Sequence, residues 1–430
     1  MTTEVAGAGM DAPPVLAVDA LLDDPKTRIV VCCGAGGVGK TTTAAALGVR
    51  AAERGRRVVV LTIDPARRLA QSMGIDELDN TPRKVDGVGG DGDGSGDRSG
   101  GELHAMMLDM KRTFDEIVEA HADGDRARAI LENPFYQSLS AGFAGTQEYM
   151  AMEKLGQLRA RDDWDLIVVD TPPSRSALDF LDAPKRLGSF LDGKFIRVLM
   201  APAKVGGRAG MKFLNLGMAG LSLMTGTLSK LMGASLLKDV QTFVAAMDTM
   251  FGGFRNRADA TYRLLQAPGT AFLVVAAPEP DALREAAYFV ERLAEERMPL
   301  AGLVLNRVHG SGAEQLSAER ALTAAENLEE GGIVDQESGK AGLRDSDADT
   351  PPDADELTVD DITAGLLRLH AERMQVIARE QRTRDRFASL HPDVAVAEVA
   401  ALPGDVHDLA GLRAIGERLA AAGSRPAGGR

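Results

Sequence analysis

The sequence predicts an α/β fold built on a doubly wound, mostly parallel sheet. Short aliphatic runs alternate with longer stretches of helical periodicity, which is the pattern of parallel strands joined by crossover helices. A glycine-rich segment separates the first run from the first helix, and aspartates follow two later runs. In such sheets, functional residues gather at the carboxyl ends of the strands.

The most specific motif is the segment 34–42, Gly-Ala-Gly-Gly-Val-Gly-Lys-Thr-Thr, which fits the phosphate-binding pattern G-x-x-x-x-G-K-[ST]. It follows the aliphatic run 28–33 and opens an alanine-rich helical pattern. Glycines let successive backbone N–H groups turn toward an anion, and the helix N-terminus adds the positive end of its dipole. Lys40 would reach the β- and γ-phosphates, and the Thr41 hydroxyl would hold Mg²⁺. The residues expected to bind the nucleotide phosphates are Gly36, Gly37, Val38, Gly39, Lys40, Thr41 and Thr42.

Two aspartates at predicted strand ends fit the same site. Asp64 follows the aliphatic run 58–63, and Asp170 follows the run 166–169. Asp170 has the position of a carboxylate that holds Mg²⁺, and Asp64 could polarise the attacking water. Each could instead be an ordinary helix N-cap, where aspartate is favoured. Three signals at three strand ends, in this order, favour the functional interpretation.

Composition limits the class of function. The chain has 430 residues, 44% of them hydrophobic and only 4% aromatic, and a net charge of −14. Proteins that grip nucleic acid are usually basic at least locally, and no long Lys/Arg run occurs, so we expect no nucleic-acid partner. No secretory signal is apparent at the N-terminus. We expect a cytoplasmic location, with a peripheral position at a membrane left open.

The composition of the remaining segments suggests where the domain and its linkers begin and end. We expect a flexible N-terminal arm over 1–26, a P-loop domain over 27–421 and a disordered tail over 422–430. Within the domain, a flexible insertion rich in Gly and Asp is expected over 86–101, and an acidic linker over 327–361. Further strands are predicted over 102–108, 271–277, 303–305 and 394–399, and late helices over 362–389 and 406–421.

The order of these motifs resembles one family. The phosphate loop is followed by Asp-Pro-Ala at 64–66, Asp-Thr-Pro-Pro at 170–173, a Leu-Asn strand end at 305–306 and Leu-Pro-Gly-Asp-Val-His-Asp-Leu at 402–409. The chain is similar to the anion-transporting and tail-anchored-protein-targeting ATPases, which include the arsenite-pump ATPase and the Get/TRC-type ATPase. These are deviant Walker A P-loop proteins. The resemblance covers roughly 28–420, apart from the insertion over 86–101 and the linker over 327–361.

The resemblance implies a Mg²⁺-dependent ATPase that works as a dimeric switch on hydrophobic or membrane-protein clients. Asp64 would be the switch I residue that positions water, and Asp170 the switch II carboxylate. Asn306 resembles the asparagine that contacts adenine, and Pro403 opens a stretch that resembles the loop closing over the base. No Asn-Lys-x-Asp motif occurs near these strand ends, which favours ATP over GTP.

The chain departs from the family's loop at Ala35, where the signature lysine normally reaches across a dimer interface. Arg67, Arg68 or Arg175 could replace that charge, or a lysine-bearing paralogue could supply it in a heterodimer. Ala35 could also be a simple packing variant. An alternative function is therefore an ATP-sensing regulatory module with little turnover. A partition or membrane-positioning ATPase is a third, although the tail after Ala420 is too short and glycine-rich for a membrane-targeting helix.

Two further features bear on metals and clients. Cys32 and Cys33, the only cysteines, are adjacent on a predicted strand and would point to opposite faces, so we expect core residues rather than a disulfide or a shared metal. The resemblance adds that a zinc-bridged dimer would need a C-x-x-C motif, which is absent. It also implies that an arsenite site would need thiols in the helical region, whereas both cysteines precede the phosphate loop. A methionine-rich helical subdomain is expected over about 180–265. It would be either ordinary core or an adaptable groove for hydrophobic segments, and the resemblance favours the groove. Its methionines include Met200, Met211, Met218, Met224, Met232, Met247 and Met250.

Overall fold

The computed structural model describes residues 13–63, 68–75, 77–89, 100–134, 136–137, 146–172, 253, 256–337 and 358–424. The strands are β1 (Ile29–Cys33), β2 (Arg57–Thr62), β3 (Arg83–Lys84), β4 (Glu102–Met107), β5 (Leu166–Asp170), β6 (Thr270–Ala276), β7 (Leu300–Val308) and β8 (Val396–Ala400). The helices are α1 (Val18–Asp23), α2 (Lys40–Glu53), α3 (Arg68–Ser72), α4 (Met110–His121), α5 (Gly124–Leu131), α6 (Thr146–Arg161), α7 (Pro280–Glu295), α8 (Ala318–Glu337), α9 (Val359–Leu390) and α10 (Leu409–Ser424).

The strands form one sheet in the order β3-β4-β2-β5-β1-β6-β7-β8. Every neighbouring pair is parallel except β3 and β4, which are antiparallel. The central strands β1, β5 and β6 are buried along their whole length. Continuous burial explains why they read as unbroken aliphatic runs rather than as alternating patterns. The predicted α/β, doubly wound and mostly parallel fold is confirmed.

Two hydrophobic cores lie on opposite faces of the sheet. One face packs against α4, α5, α6, α7 and the end of α9, and the other against α1, α2, α3 and α10. Alternate residues of β1 divide between these cores, so Cys33 joins the first and Cys32 the second. The two thiols therefore face away from each other, as the period of a strand requires.

The expectation of a flexible arm over the first 26 residues is wrong for residues 13–26. Leu16, Val18 and Leu22 are buried in the second core. Leu16 also donates its backbone N–H to Val396 of β8 at 3.1 Å. Only a few apolar residues occur among the Ala, Pro and Asp residues of this segment, so its composition predicts a loose segment even though those few side chains are buried.

The acidic linker is narrower than expected, because α8 continues to Glu337 and α9 begins at Val359. A capping box fixes the start of α9: Asp361 N–H donates to Thr358 Oγ1 at 3.1 Å, and Thr358 N–H donates to Asp361 Oδ2 at 3.0 Å. At the C-terminus, α10 extends to Ser424, past the expected start of the tail at 422.

Several predicted segments lie outside the described residues. These are residues 1–12, most of the insertion (90–99), the centre of the linker (338–357), the end of the tail (425–430) and almost all of the methionine-rich subdomain (through residue 252). Of that subdomain, the structure describes residue 253 and the stretch 256–265, which is helical. Among the helices that the structure describes, none is long and apolar enough to cross a bilayer.

Candidate functional site

The phosphate loop joins the carboxyl end of β1 to the first turn of α2. Because β1 lies between β5 and β6, the loop stands at the centre of the sheet's carboxyl edge. Gly34 starts it with φ +147°, and a Cβ there would lie 2.1 Å from the carbonyl oxygen of Val275 on β6. Only glycine allows the loop to leave the strand this closely beside its neighbour.

Gly39 is the second position where the loop requires glycine. It caps α2 in the left-handed conformation, with φ +95°. A Cβ on Gly39 would approach the Asn306 side-chain nitrogen to 2.3 Å. Asn306, near the end of β7, is buried and donates from Nδ2 to the carbonyl oxygen of Val38 at 2.8 Å. The loop is therefore held from β7, two strands away from β1.

Lys40 folds back over the loop that precedes it. Its side chain is buried, with 5% of the residue exposed, and Nζ donates to the carbonyl oxygen of Ala35 at 2.8 Å. This contact crosses the loop from the first residue of α2 to the second residue of the motif. The ammonium group therefore lies against the backbone of the loop itself.

Asp170 ends β5 and is completely buried. Its Oδ2 accepts a hydrogen bond from Thr41 Oγ1 at 2.7 Å and another from Thr62 Oγ1 at 2.9 Å. One carboxylate oxygen thus links the helix after the phosphate loop to the ends of β5 and β2. Hydrogen bonds to a charged group are among the stronger ones, so this contact fixes the position of the Asp170 carboxylate.

The backbone around these side chains is also tied together. Thr171 Oγ1 donates to the carbonyl oxygen of Cys32 at 2.9 Å, joining the ends of β5 and β1. Ile63 donates its N–H to the Asp170 carbonyl oxygen at 3.0 Å, and its own carbonyl oxygen accepts from Gln147 Nε2 at 2.9 Å. Ile63, the last described residue before the DPA segment, is therefore fixed at the same edge.

The structure brings Lys40, Thr41, Asp170 and Asn306 together around the phosphate loop. Within the loop, Val38 is buried, Gly36 and Gly37 are exposed, and Thr42 is partly buried in the first turn of α2. Pro403 is exposed in the segment after β8, at the same edge but three strands from β1. Asp64, Arg67 and Arg175 lie outside the described residues. Arg68 begins α3, and its side chain is also outside them.

The two cysteines have the chemistry of core residues. Burial raises the pKa of Cys33 to about 12. Burial, with a further contribution from the Asp170 carboxylate, raises the pKa of Cys32 well above the ordinary range of a thiol. Both thiols are therefore protonated at neutral pH, which makes them poor metal ligands. Among the described residues, no group of three or more His, Cys, Asp or Glu side chains is arranged to hold a metal ion.

Sequence reasoning missed Thr62 at this site, and it named Asn306 without its contact to the phosphate loop. Thr62 was read only as part of a strand, although its hydroxyl stands at the strand end two residues before Asp64. Asn306 is expected to contact the base; in the structure its Nδ2 also contacts the phosphate loop, and its Oδ1 accepts from the Arg307 N–H at 3.0 Å. A polar residue that ends an aliphatic run was the available signal in both cases.

Comparisons with known proteins identify one family. A family model described as Anion-transporting ATPase matches residues 27–329. The ATPase GET3 of Podospora anserina is 26% identical over 330 residues, covering 75% of this chain and 86% of that protein. The ATPase GET3 of Malassezia globosa is 29% identical over 175 residues, covering 41% and 47% of the two chains. A putative arsenical pump-driving ATPase of Halobacterium salinarum is 30% identical over 193 residues, covering 44% and 28%.

Proposed function

The chain belongs to the anion-transporting ATPase family and is an ATPase, and from this premise we propose that it is a Mg²⁺-dependent dimeric switch that handles hydrophobic or membrane-protein clients. The main support for Mg²⁺-dependent chemistry is the hydrogen bond between Thr41 and Asp170 beside the phosphate loop. This contact joins the two oxygen groups that P-loop ATPases use for the metal.

Phosphate binding is assigned to the loop and the first turn of α2. Backbone N–H groups of Gly36, Gly37, Val38 and Gly39, together with those of residues 40–42, would face the phosphate oxygens at the positive end of the helix dipole. The Lys40 ammonium would exchange its bond to the Ala35 carbonyl for the β- and γ-phosphates. This exchange is inexpensive because the buried lysine stays hydrogen-bonded in both states.

The residues at the loop fit Mg²⁺. A threonine hydroxyl and an aspartate carboxylate are hard oxygen donors of the kind that this ion prefers, and it normally keeps several waters and phosphate oxygens as its other ligands. When bound, Mg²⁺ would neutralise negative charge on the phosphate group that is transferred. Thr41 would be a direct ligand, and Asp170 would hold the ion, directly or through water. Thr62 keeps the Asp170 carboxylate oriented toward that position.

Hydrolysis is assigned to Asp64, which would orient the attacking water and accept its proton. The support is the fixed position of Ile63, the preceding residue, whose backbone is hydrogen-bonded to both Asp170 and Gln147. Asn306 would hold the loop through Val38 and line the base pocket. Pro403, in the exposed segment after β8, would close over the base from the side.

Client handling is assigned to the methionine-rich subdomain over about 180–265. Two relatives carry the name ATPase GET3, and the resemblance places the client groove of targeting ATPases in this part of the chain. Flexible Met side chains suit binding to varied apolar segments. Nucleotide-driven pairing of two copies would join their helical subdomains, and hydrolysis would release them. A cytoplasmic location, with a peripheral position at a membrane, follows from such clients.

Ala35 supports a second candidate function. The protein would be an ATP sensor that hydrolyses ATP only when it is paired with a lysine-bearing paralogue. The methyl group of Ala35 carries no charge, and only 8% of the residue is exposed. A cation supplied across an interface contributes orders of magnitude to phosphoryl transfer, so a homodimer that lacks it would be slow.

Client binding is tested by mixing the protein with a peptide of about 20 apolar residues. We expect the wild type to keep the peptide in solution with MgATP, and a deletion of 211–235 to lose this while ATP binding persists. Peptide binding that survives the deletion would overturn the assignment of the groove. Binding by Lys40→Ala, with or without MgATP, would show that client capture is independent of nucleotide and contradict the switch.

A further inference from the structure

A groove lies between α7 and the C-terminal part of α9, on the face of the sheet that carries the first core. Its volume is about 620 Å³. Its floor is apolar: Leu283 and Ala287 come from α7, and Phe387 and Leu390 come from α9. Leu283 and Phe387 are buried members of the first core, whereas Leu390 is 65% exposed. The groove is therefore an opening that reaches down to the core.

Four arginines line the same groove. Arg284 stands on α7, and Arg379, Arg382 and Arg386 stand on α9. The three on α9 are spaced by three and then four residues, so they lie along one face of that helix. All four residues are exposed, and no acidic side chain of the described residues lines the groove. We call the four floor residues and these four arginines the arginine groove.

The arginines on α9 have no carboxylate partner within the part of the chain that the structure describes. There, the side chains of Arg382 and Arg386 make neither an ion pair nor a hydrogen bond. Arg379 donates from Nε only to a carbonyl oxygen of its own helix, at 3.4 Å. Arg284 does pair with Asp281 at 2.9 Å, but both side chains are largely exposed, and such a surface pair contributes little. The positive charge of the groove is therefore available to an outside partner.

This cluster of positive charge is unusual for a chain whose net charge is −14. Arg382 lies three residues after Arg379 and four before Arg386, and like charges at these spacings destabilise a helix. An anionic partner would relieve the repulsion, and apolar groups on the same partner would cover the floor. The groove is thus complementary to a molecule that is both acidic and apolar.

The shape and composition of the groove favour a helical peptide as that molecule. The residues 379–390 span about 16 Å by the helical rise, which equals about three turns of a bound helix. Grooves with an apolar floor commonly take the apolar face of an amphipathic helix. Single-stranded nucleic acid would need aromatic side chains on which bases can stack, whereas the one aromatic residue here, Phe387, is buried. Membrane-surface helices present their apolar groups outward to the bilayer, whereas these line the floor between two helices.

We propose that the arginine groove binds an acidic, amphipathic helix of a partner protein. Apolar side chains of that helix pack on the floor, and its Asp or Glu side chains pair with the arginines on either side. The groove lies outside the methionine-rich subdomain and takes a charged segment rather than a purely apolar one. Binding here is therefore a function separate from the capture of hydrophobic clients.

Two labelled peptides and a charge reversal test the groove in the full-length protein. The first peptide has about 18 residues, enough to form a helix, with leucines along one face and glutamates on both flanks. The second keeps the leucines and has lysine in place of every glutamate. By fluorescence anisotropy, we expect the wild type to bind the glutamate peptide at least about tenfold more tightly than the lysine peptide, because like charges face each other in the second complex. The double variant Arg382→Glu, Arg386→Glu should reverse this preference.

The double variant Arg263→Glu, Arg320→Glu is the matched control, because both arginines are exposed, lie outside the groove and change the net charge equally. It should bind both peptides as the wild type does. Unchanged ATP turnover and urea unfolding in Arg382→Glu, Arg386→Glu would show that this variant is folded.

Three results would overturn the proposal. The wild type might bind neither peptide, or both equally, or the two double variants might lose binding to the same extent. Vesicles that contain phosphatidylserine are the third probe. If the wild type bound these vesicles and not the glutamate peptide, and Arg382→Glu, Arg386→Glu lost that binding, the arginines would serve a membrane surface and the peptide assignment would be wrong.

Discussion

The hydroxyl of Thr41 donates a hydrogen bond of 2.7 Å to the carboxylate of Asp170, across 129 positions of the sequence. The contact joins the first turn of α2 to the end of β5, next to the buried Lys40. Parallel strands bring their carboxyl ends to one edge, which is why residues so distant in the chain meet.

Replacing Thr62 by valine tests whether orientation of Asp170 matters for Mg²⁺. The change keeps the shape but removes the hydroxyl that donates to Asp170 Oδ2 at 2.9 Å. Loss of a residue that orients a metal ligand typically weakens metal affinity by about 10- to 100-fold. We expect the Mg²⁺ concentration for half-maximal ATP turnover to rise at least about tenfold.

Thr113→Val is the matched control, since Thr113 is also buried and its hydroxyl donates to Asn80 Oδ1 at 3.1 Å, away from the loop. Its Mg²⁺ requirement should equal that of the wild type. If Thr62→Val also kept the wild-type requirement, the carboxylate would not need this support.

Replacing Gly39 by alanine tests the close approach of Asn306 to the loop. The new Cβ would meet Asn306 Nδ2 at 2.3 Å, in a backbone with φ +95°. The left-handed conformation costs about 1–2 kcal/mol for a non-glycine residue, and displacement of the Asn306 side chain costs a further ~1 kcal/mol for the hydrogen bond to Val38. We expect the free energy of unfolding in urea to fall by the sum, about 2–3 kcal/mol, and ATP binding to weaken.

Gly37→Ala separates the two contributions, because Gly37 has φ +76° but nothing within 4 Å of an added Cβ. The free energy of unfolding of Gly37→Ala should fall only by the cost of the left-handed backbone, about 1–2 kcal/mol. The double variant Gly39→Ala, Asn306→Ala should be more stable than the sum of the two single losses predicts. Additive losses would mean that Asn306 and Gly39 do not contact in solution.

The sequence was sufficient for the parallel sheet and for the loop, because buried strands and phosphate loops leave short, contiguous signals. It predicted Lys40 and Thr41 after one strand end and Asp170 at another, and the structure has these three residues at one edge of the sheet. It did not reveal that Asn306 holds Val38 or that Thr62 shares the carboxylate with Thr41, since those contacts depend on strand order, which the pattern leaves open. The N-terminal residues 13–26 were misjudged because their few buried side chains are spaced among polar ones.

Placing a lysine at Ala35 tests the missing charge. If a cation is absent from the homodimer, Ala35→Lys should raise ATP turnover by at least about tenfold, since trans-acting cations contribute orders of magnitude. Ala35→Met, of similar length without charge, should not. Equal turnover in the wild type and Ala35→Lys would contradict the missing-charge hypothesis and favour a replacement cation or a packing variant.

Thiol labelling tests the burial of the cysteine pair. The raised pKa of Cys33, about 12, keeps its thiol protonated up to strongly alkaline pH, and the thiolate is the reactive form. We expect no labelling by a maleimide at pH 7.5 in the folded protein and two labels per chain in denaturant. The folded protein should also remain unlabelled at pH 9, where an exposed thiol with a pKa of about 8.5 is mostly ionised. Labelling in the folded state would contradict the position of β1 in the core.

ATP turnover by the purified protein, with Asp64→Asn beside it and a hydrophobic tail peptide added or withheld, tests the central claim most directly. The account predicts turnover that falls at least about 100-fold in Asp64→Asn, as expected for loss of a general base, and that rises when the peptide is added to the wild type. Tight ATP binding without turnover in the wild type, or turnover that survives Asp64→Asn, would contradict it.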